Sequence, residues 1–277
     1  MMIKKYYNQL TLAGKLSLIG IMIVLFVAVF APALAPNDPM ETNPERRWAD
    51  VKGYPLGCDN LGQCIFSRII YGARLSLLIG FASRLVALLI GLVVGLAAGY
   101  FGGWLDWALM RVVDMFLAFP SLLLSIAISM FMGSGLGTVI FAIAIVGWAE
   151  MARIIRSSAL ELRSAEYVVA AKTLGASDFR IIMTHILPNC LPIITVIFTM
   201  GMATAVLSEA SLSFLGLGVD PSLPTWGGMV ATGKDFMIAN PSLVIYPGLC
   251  IAILVIVFNV FGDELRDILD PSHKGNF

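Results

Sequence analysis

Few side chains in this sequence are placed to do covalent chemistry. No glycine-rich loop runs into Gly-Lys-Ser or Gly-Lys-Thr, and Lys172-Thr173 lacks the glycines whose backbone would cradle a phosphate. Histidine occurs only as His185 and His273, so there is no His-Glu-x-x-His zinc helix, and no Gly-x-Ser-x-Gly nucleophile elbow is present. The patterns therefore predict no catalytic residue, no metal site and no cofactor. Three other features are suited to act on a second molecule. Arg84 sits inside an apolar run, with Glu150 and Glu209 near the ends of two others. Cys58 and Cys64 lie close together in a polar stretch. Residues 165–188 carry small and apolar side chains around Gly175.

The frame that must hold these residues follows from composition. Of 277 residues, 58% are hydrophobic and 13% charged, against about 25% charged in a soluble domain. A water-soluble fold cannot hide that much apolar surface, so lipid is the expected solvent. The formal net charge is zero, which leaves no strongly basic surface for nucleic acid. Four cysteines, Cys58, Cys64, Cys190 and Cys250, make neither a disulfide scaffold nor a zinc-finger pattern.

Apolar run length predicts an all-α integral membrane protein with six spanning helices, at 16–34, 75–100, 115–132, 136–152, 191–207 and 243–261. Glu150 interrupts the fourth near one end, and that helix is expected to continue into the basic segment beyond. Lys4, Lys5 and Lys15 precede the first run, and no small-x-small cleavage site follows it, so it reads as a retained helix. With the N-terminus inside, the inner segments hold Lys4, Lys5, Lys15, Arg111, Arg153, Arg156, Arg163, Lys172, Arg180, Arg266 and Lys274. The outer segments hold only Arg46, Arg47, Lys52, Arg68, Arg74 and Lys234, and the first outer loop offsets its bases with acids. Both termini are therefore expected in the cytoplasm.

Within the spans, Gly91, Gly95 and Gly99 recur four apart, with Gly80 near the same face; the spacing suits close helix packing, with pore lining as the other reading. Arg111 with Asp114, and Glu150 with Arg153, are spaced to pair along one helix face. Glu209 faces either a substrate or the aqueous boundary. Arg84 carries an insertion cost of roughly 2.5–3.5 kcal/mol at a span centre, so it faces the bundle, a partner or water, or else snorkels outward. The outer stretches 213–218 and 221–228 are punctuated by glycine and proline, with Trp226 as an aromatic anchor.

The inner segment after the fourth span is patterned. Val168, Ala171 and Leu174 form one apolar helical face, and Gly175 is a natural stop. Ser177 and Asp178 then cap a second helix through Phe179, Ile182 and Ile186. Pro188 is expected to end it, with Asn189 and Pro192 resetting the chain before the fifth span. Two readings of this helix–glycine–helix elbow stay open: a knob for a partner's groove, or an amphipathic segment on the membrane surface.

Here the sequence resembles a known family. Ala170, Ala171, Gly175, Leu187 and Pro188 fall at the spacing of the EAA motif of ABC importer permeases, although Val169 stands at its glutamate and His185 at its isoleucine. The branch it resembles is the C-type permease of peptide/nickel importers. The likeness runs through Leu56-Gly57, Asp59, Leu61-Gly62, Phe66-Ser67-Arg68, Tyr71-Gly72-Ala73-Arg74-Leu75-Ser76 and Gly99-Tyr100-Phe101-Gly102-Gly103. It continues in Met110-Arg111-Val112-Val113-Asp114, Phe119-Pro120-Ser121, Leu212-Ser213-Phe214-Leu215-Gly216-Leu217-Gly218, Pro224, Trp226-Gly227 and Pro247-Gly248. It closes with Phe258-Asn259-Val260-Phe261-Gly262-Asp263, Leu265-Arg266-Asp267 and Asp270-Pro271.

The resemblance implies a type I ABC importer permease fold in a bacterial or archaeal cytoplasmic membrane. Residues 1–72 would form an N-terminal tail, helix and outer loop. Residues 73–263 would form a five-helix core with a coupling loop at 153–190, and 264–277 a cytoplasmic tail. It implies a homologous B-type permease as partner, two ABC ATPase subunits that hydrolyse ATP in this chain's stead, and an external substrate-binding protein. The cargo would be di- or oligopeptides, or nickel and metal chelates. Arg84 and Glu209 would then lie on the translocation path or the permease–permease interface, and the outer loop would gate or meet the binding protein. Where the family has threonine and aspartate this chain has Cys58 and Cys64, and Gln63 replaces an arginine; a disulfide, a soft-metal contact and two unpaired thiols all remain open. The alternative is a stand-alone secondary transporter or channel. That would need intramembrane acids for coupling ions, and the spans offer only Glu150 and Glu209.

Overall fold

Apolar run length becomes helix length almost everywhere along the chain. The computed structural model describes residues 9–49 and 52–269; Lys4, Lys5, Asp50, Asp270, Pro271, His273 and Lys274 lie outside the described residues. The elements are α1 (Leu12–Val29), α2 (Ile65–Phe101), α3 (Gly103–Ala118), α4 (Ser121–Met132), α5 (Leu136–Arg163), α6 (Glu166–Thr173), α7 (Asp178–Phe214), α8 (Trp226–Gly233) and α9 (Ser242–Leu269). Among the described residues the one β contact is an isolated antiparallel bridge between Cys58 and Cys64. Helices α1, α2, α5, α7 and α9 are each long and apolar enough to cross a bilayer.

The third expected span is corrected by the structure. It is not one helix: α3 and α4 meet at 88° across Phe119 and Pro120. Proline has no amide hydrogen to continue a helix, and it pushes the residue before it into extended backbone. Phe119 accordingly sits at φ −89°, ψ 138°. Six crossings result only if this bent pair counts as a single span.

The inner loop is corrected in the other direction. Helix α5 does run on through Glu150 to Arg163, as expected. Pro188, however, does not end the next helix, and Pro192 does not reset it. Both lie within α7, which is continuous from Asp178 to Phe214. Pro188 follows directly on a π-helical turn over Ile182–Ile186, where Leu187 N–H donates to Ile182 O, five residues back, and Pro192 lies in the α-helical stretch beyond. Such local widening re-satisfies the backbone groups that a proline frees inside a span. Only residues 164–177 therefore stand clear of the long helices.

Packing is organised around α2. Lipid is as apolar as leucine, so helices associate there by close fit rather than by exclusion from water. Gly91, Gly95 and Gly99 let the α2 backbone settle onto α5. A Cβ at Gly91 would stand 2.8 Å from Met151, one at Gly95 2.7 Å from the Ala152 carbonyl, and one at Gly99 2.7 Å from that of Arg156. The packing reading of this stripe therefore holds. Gly80 departs from it and meets Val206 and Met202 on α7 instead. Helix α1 is no detached anchor: its Ile21 and Ala28 share a core with Leu254 and Phe258 of α9. Thr11 N–H donates to Glu264 Oε2 at 3.1 Å, and the Thr11 hydroxyl bonds the same carboxylate. The start of α1 and the end of α9 therefore share one end of the bundle.

The two expected intrahelical ion pairs do not form. Asp114 pairs with Arg153 of α5, and Asp106 takes both arms of the Arg156 guanidinium, one of them at 2.6 Å. Arg111 lies over the Trp107 ring instead. The turn at Gly102, left-handed at φ +67°, folds α3 back beside the end of α5. Acids and bases then meet across a packed interface, where a bidentate arginine–carboxylate contact outweighs a pair three residues apart on one surface.

The glycine stripe is tested by bulk. Gly95→Val should cost about 1–3 kcal/mol of overpacking and sharply lower the melting temperature of detergent-purified protein. Gly248→Ala, whose added methyl meets nothing within 4 Å, should leave it unchanged.

Candidate functional site

Two regions bring the singled-out residues together: an interior neck around Arg84 and the elbow at one end of the bundle.

Arg84 is 6% exposed and does not snorkel. Its Nε donates to the Gly201 carbonyl on α7 at 2.6 Å. Glycine is needed on both sides of it. A Cβ at Gly201 would stand 2.6 Å from Nε, and one at Gly147 on α5 would stand 3.1 Å from Nη1. Two cavities open beside the guanidinium. One, of about 470 Å³, runs past Glu150, Thr204, Ile193 and Asn259 to Arg266. The other, of about 290 Å³, runs past Glu150 and Thr204 to Ser208, Ser125 and Phe119. Arg84, Glu150 and Thr204 line both, so they form the neck between them. Phe119 and Ser121, at the break between α3 and α4, line the second cavity. Irregular backbone at membrane depth is tolerated where it borders a water-filled space.

Glu209 does not reach the neck. The sequence suggested contact with substrate or with water, yet the side chain is 0% exposed. Its Oε1 accepts from Ser213 Oγ at 2.8 Å and from Thr225 Oγ1 at 2.9 Å. Its Oε2 has no hydrogen-bond partner and rests over Gly227, where a Cβ would come within 2.9 Å. Glu209 is a latch that holds the segment after α7 against the bundle. Trp226 serves the same join and is not an interfacial anchor. It is buried, its N–H donates to Ser76 Oγ at 3.1 Å, and its Nε1 donates to Ile69 O at 2.9 Å. Gly72 makes room for the ring.

Arg68, named above as an outer base and within Phe66-Ser67-Arg68, joins the two outer loops. It is buried and donates to Pro39 O at 3.1 Å, to Gln63 Oε1, and to Pro221 O at 3.4 Å. Glutamine at 63 thus accepts from Arg68. Nearby, Cys58 and Cys64 are free, buried thiols facing each other across the antiparallel bridge. Asp59 N–H donates to Gln63 O, and Ile65 N–H to Gly57 O, which makes them a non-hydrogen-bonded pair, the register in which side chains approach most closely. Burial, with the neighbouring thiol second, raises the Cys58 thiol above its usual range.

At the other end, the elbow is formed by α6 and the first turns of α7. Gly175, at φ +82°, ends α6 in a Schellman turn: Ala176 N–H donates to Ala171 O at 3.1 Å and Gly175 N–H to Lys172 O at 3.0 Å. Ser177 Oγ then accepts from Arg180 N–H to start α7. The expected apolar face divides. Val168 is buried among Ile155, Ile181, Ile186 and Leu96 and roots the elbow in the bundle. Leu174 is 88% exposed, as is Phe179 at 74%, so the tip is apolar and uncovered. Tyr100, at the end of α2, donates from its hydroxyl to Asp178 Oδ1 at 2.6 Å and braces the second helix. That brace joins residues far apart in the chain and carries no local signal. Ala170 lies on the outer side of α6, Ala171 half-faces the root, and Leu187 with Pro188 stands at the exit of the π turn.

Comparison with known proteins gives three findings. The family described as binding-protein-dependent transport system inner membrane component matches residues 91–275. A dipeptide transport system permease protein of Alkalihalophilus pseudofirmus is 44% identical over 265 residues, spanning 94% of this chain and 87% of the relative. A glutathione transport system permease protein of Pectobacterium atrosepticum is 40% identical over 259 residues, spanning 92% and 86%. Among solved structures, a chain of an inward-facing methionine ABC transporter superposes with a TM-score of 0.61 at 20% identity, covering 73% of this chain and 96% of its own. A chain of an amino acid ABC transporter gives 0.52 at 17% identity, covering 73% and 92%.

The latch at Glu209 gives a graded expectation. Glu209→Gln keeps the Oε1 acceptor and should hold thermal stability close to the parent. Glu209→Ala removes the acceptor of two buried hydroxyls, each worth about 1–3 kcal/mol when left unsatisfied. It should lower the melting temperature well beyond the glutamine variant.

Proposed function

Since this chain belongs to the family of binding-protein-dependent transport system inner membrane components, and within it to the C-type permeases of peptide/nickel importers, we propose that its elbow seats in a separate ATPase subunit and that its cargo is a di- or oligopeptide. The chain is a permease subunit of an ABC importer, a multi-pass protein of the bacterial cytoplasmic membrane, and not a stand-alone transporter or channel. The observation that carries the coupling reading is the bare apolar tip, Leu174 and Phe179, on a root fixed by Val168 and the Tyr100–Asp178 bond. An exposed apolar knob on a rigid stem suits a groove in a folded partner.

In this reading Ala170, Ala171, Gly175, Leu187 and Pro188 shape the coupling contact. The working unit adds a homologous B-type permease, two ABC ATPase subunits and an external binding protein, and ATP is hydrolysed in those ATPase subunits. Both termini lie in the cytoplasm, on the side of the elbow. Closure of the ATPases presses on the elbow, and α5 and α7, continuous with it on either side, carry that motion to the neck at Arg84. The peptide cargo is supported by the relatives, a dipeptide and a glutathione permease.

Two experiments test this. In vesicles holding the assembled importer with its binding protein, ATP should drive uptake of labelled dipeptide and not of labelled nickel; nickel uptake without peptide uptake would overturn the cargo. Gly175→Val forces a branched side chain into left-handed backbone, which costs about 1–2 kcal/mol. Because nothing lies within 4 Å of that position, the effect should be local. Membrane level should persist, uptake should fall at least tenfold, and stimulation of ATP hydrolysis by the binding protein should be lost.

A further inference from the structure

The Arg84 guanidinium is built in at a cost and then left half used. Nε is satisfied by Gly201, while neither Nη group has a partner among the described residues. Neither Nη is among the buried polar atoms lacking a bond, so both reach the open space of the cavities. Glu150 lines the same neck, yet no oxygen of it comes within 4.0 Å of Arg84, so the two charges are not closed on one another. Glycines at 147 and 201 clear the space the guanidinium occupies. A forked cation with its paired donors free, set between two cavities and near an acid with which it makes no ion pair within 4.0 Å, has the chemistry of a carboxylate receptor.

We propose that Arg84 is a specificity-determining residue that reads the terminal carboxylate of the passing peptide, with Glu150 placed to meet its ammonium end. The inference rests on the peptide reading above. One consequence follows from the charges. A peptide whose carboxylate is capped as an amide loses the charge-assisted fork and keeps only neutral hydrogen bonds, which are about half as strong.

The test compares a labelled dipeptide with its C-terminal amide in vesicles bearing the complete importer and the same binding protein. Any preference of the binding protein is common to all variants, so the acid-to-amide ratio of uptake isolates the permease. Arg84→Gln should lower that ratio by about tenfold, the worth of one charge-assisted contact, whereas Arg84→Lys, which keeps the charge but loses the fork, should lower it by a smaller factor. Gly147→Ala, which leaves the arginine in place but crowds Nη1, should lower the ratio by a smaller factor and serves if the glutamine variant does not assemble. An unchanged ratio in Arg84→Gln, or in Gly147→Ala where that variant stands in, overturns the proposal. Failure of the parent importer to take up either peptide overturns the cargo reading instead.

Discussion

Everything in this subunit hangs on the contact between α2 and α5. In a bilayer the hydrophobic effect does not drive one helix against another, so two long helices stay together only if their backbones come close enough for dense contact. Gly91, Gly95 and Gly99 allow this, and their placement decides what the two helices carry. Farther up α2, the same approach brings Arg84 beside Gly147 of α5. At the lower end of α2 it leaves Tyr100 where its hydroxyl reaches Asp178. The neck and the brace of the elbow are thus two ends of one helix–helix seam.

Charge is distributed so that each group has a distinct fate. Arg153 and Arg156 of α5 are taken up by acids of α3, which fixes the broken third segment against the bundle. Arg68 is spent on carbonyls that tie two outer loops together, and Glu209 on hydroxyls that hold the start of α8. At the neck Arg84 and Glu150 line the same space without closing into an ion pair, although a buried charge is costly inside a membrane protein.

Much of this was legible in the residues. Span positions, the continuation of the fourth helix, the glycine stripe and the stop at Gly175 all follow from local rules: run length, small residues at a four-residue spacing, and a left-handed helix end. What escaped depended on tertiary placement. Arg111 and Asp114 satisfy the pairing rule for one helix, but Arg153 is nearer once α3 folds back. Glu209 looks like a boundary acid until Thr225 and Ser213 close over it. Pro120 carried its signal openly, since a proline in an apolar run marks a break, and run length alone concealed it. Pro188 carried the same signal and meant something else, because the widened turn before it can absorb what a regular helix cannot.

That widened turn has a consequence for how the two ends of α7 are oriented. A π turn holds one residue more than an α turn, and each residue advances the helical face by about 100°. The stretch before Ile182 and the stretch after Ile186 are therefore out of phase, and a single helical wheel drawn through all of α7 would misassign one of them. Phe179 lies before that phase step, so its aim relative to the spanning part of α7 depends on it. The direction in which the knob points is thus encoded a few residues away from it, in the register of a turn it does not belong to.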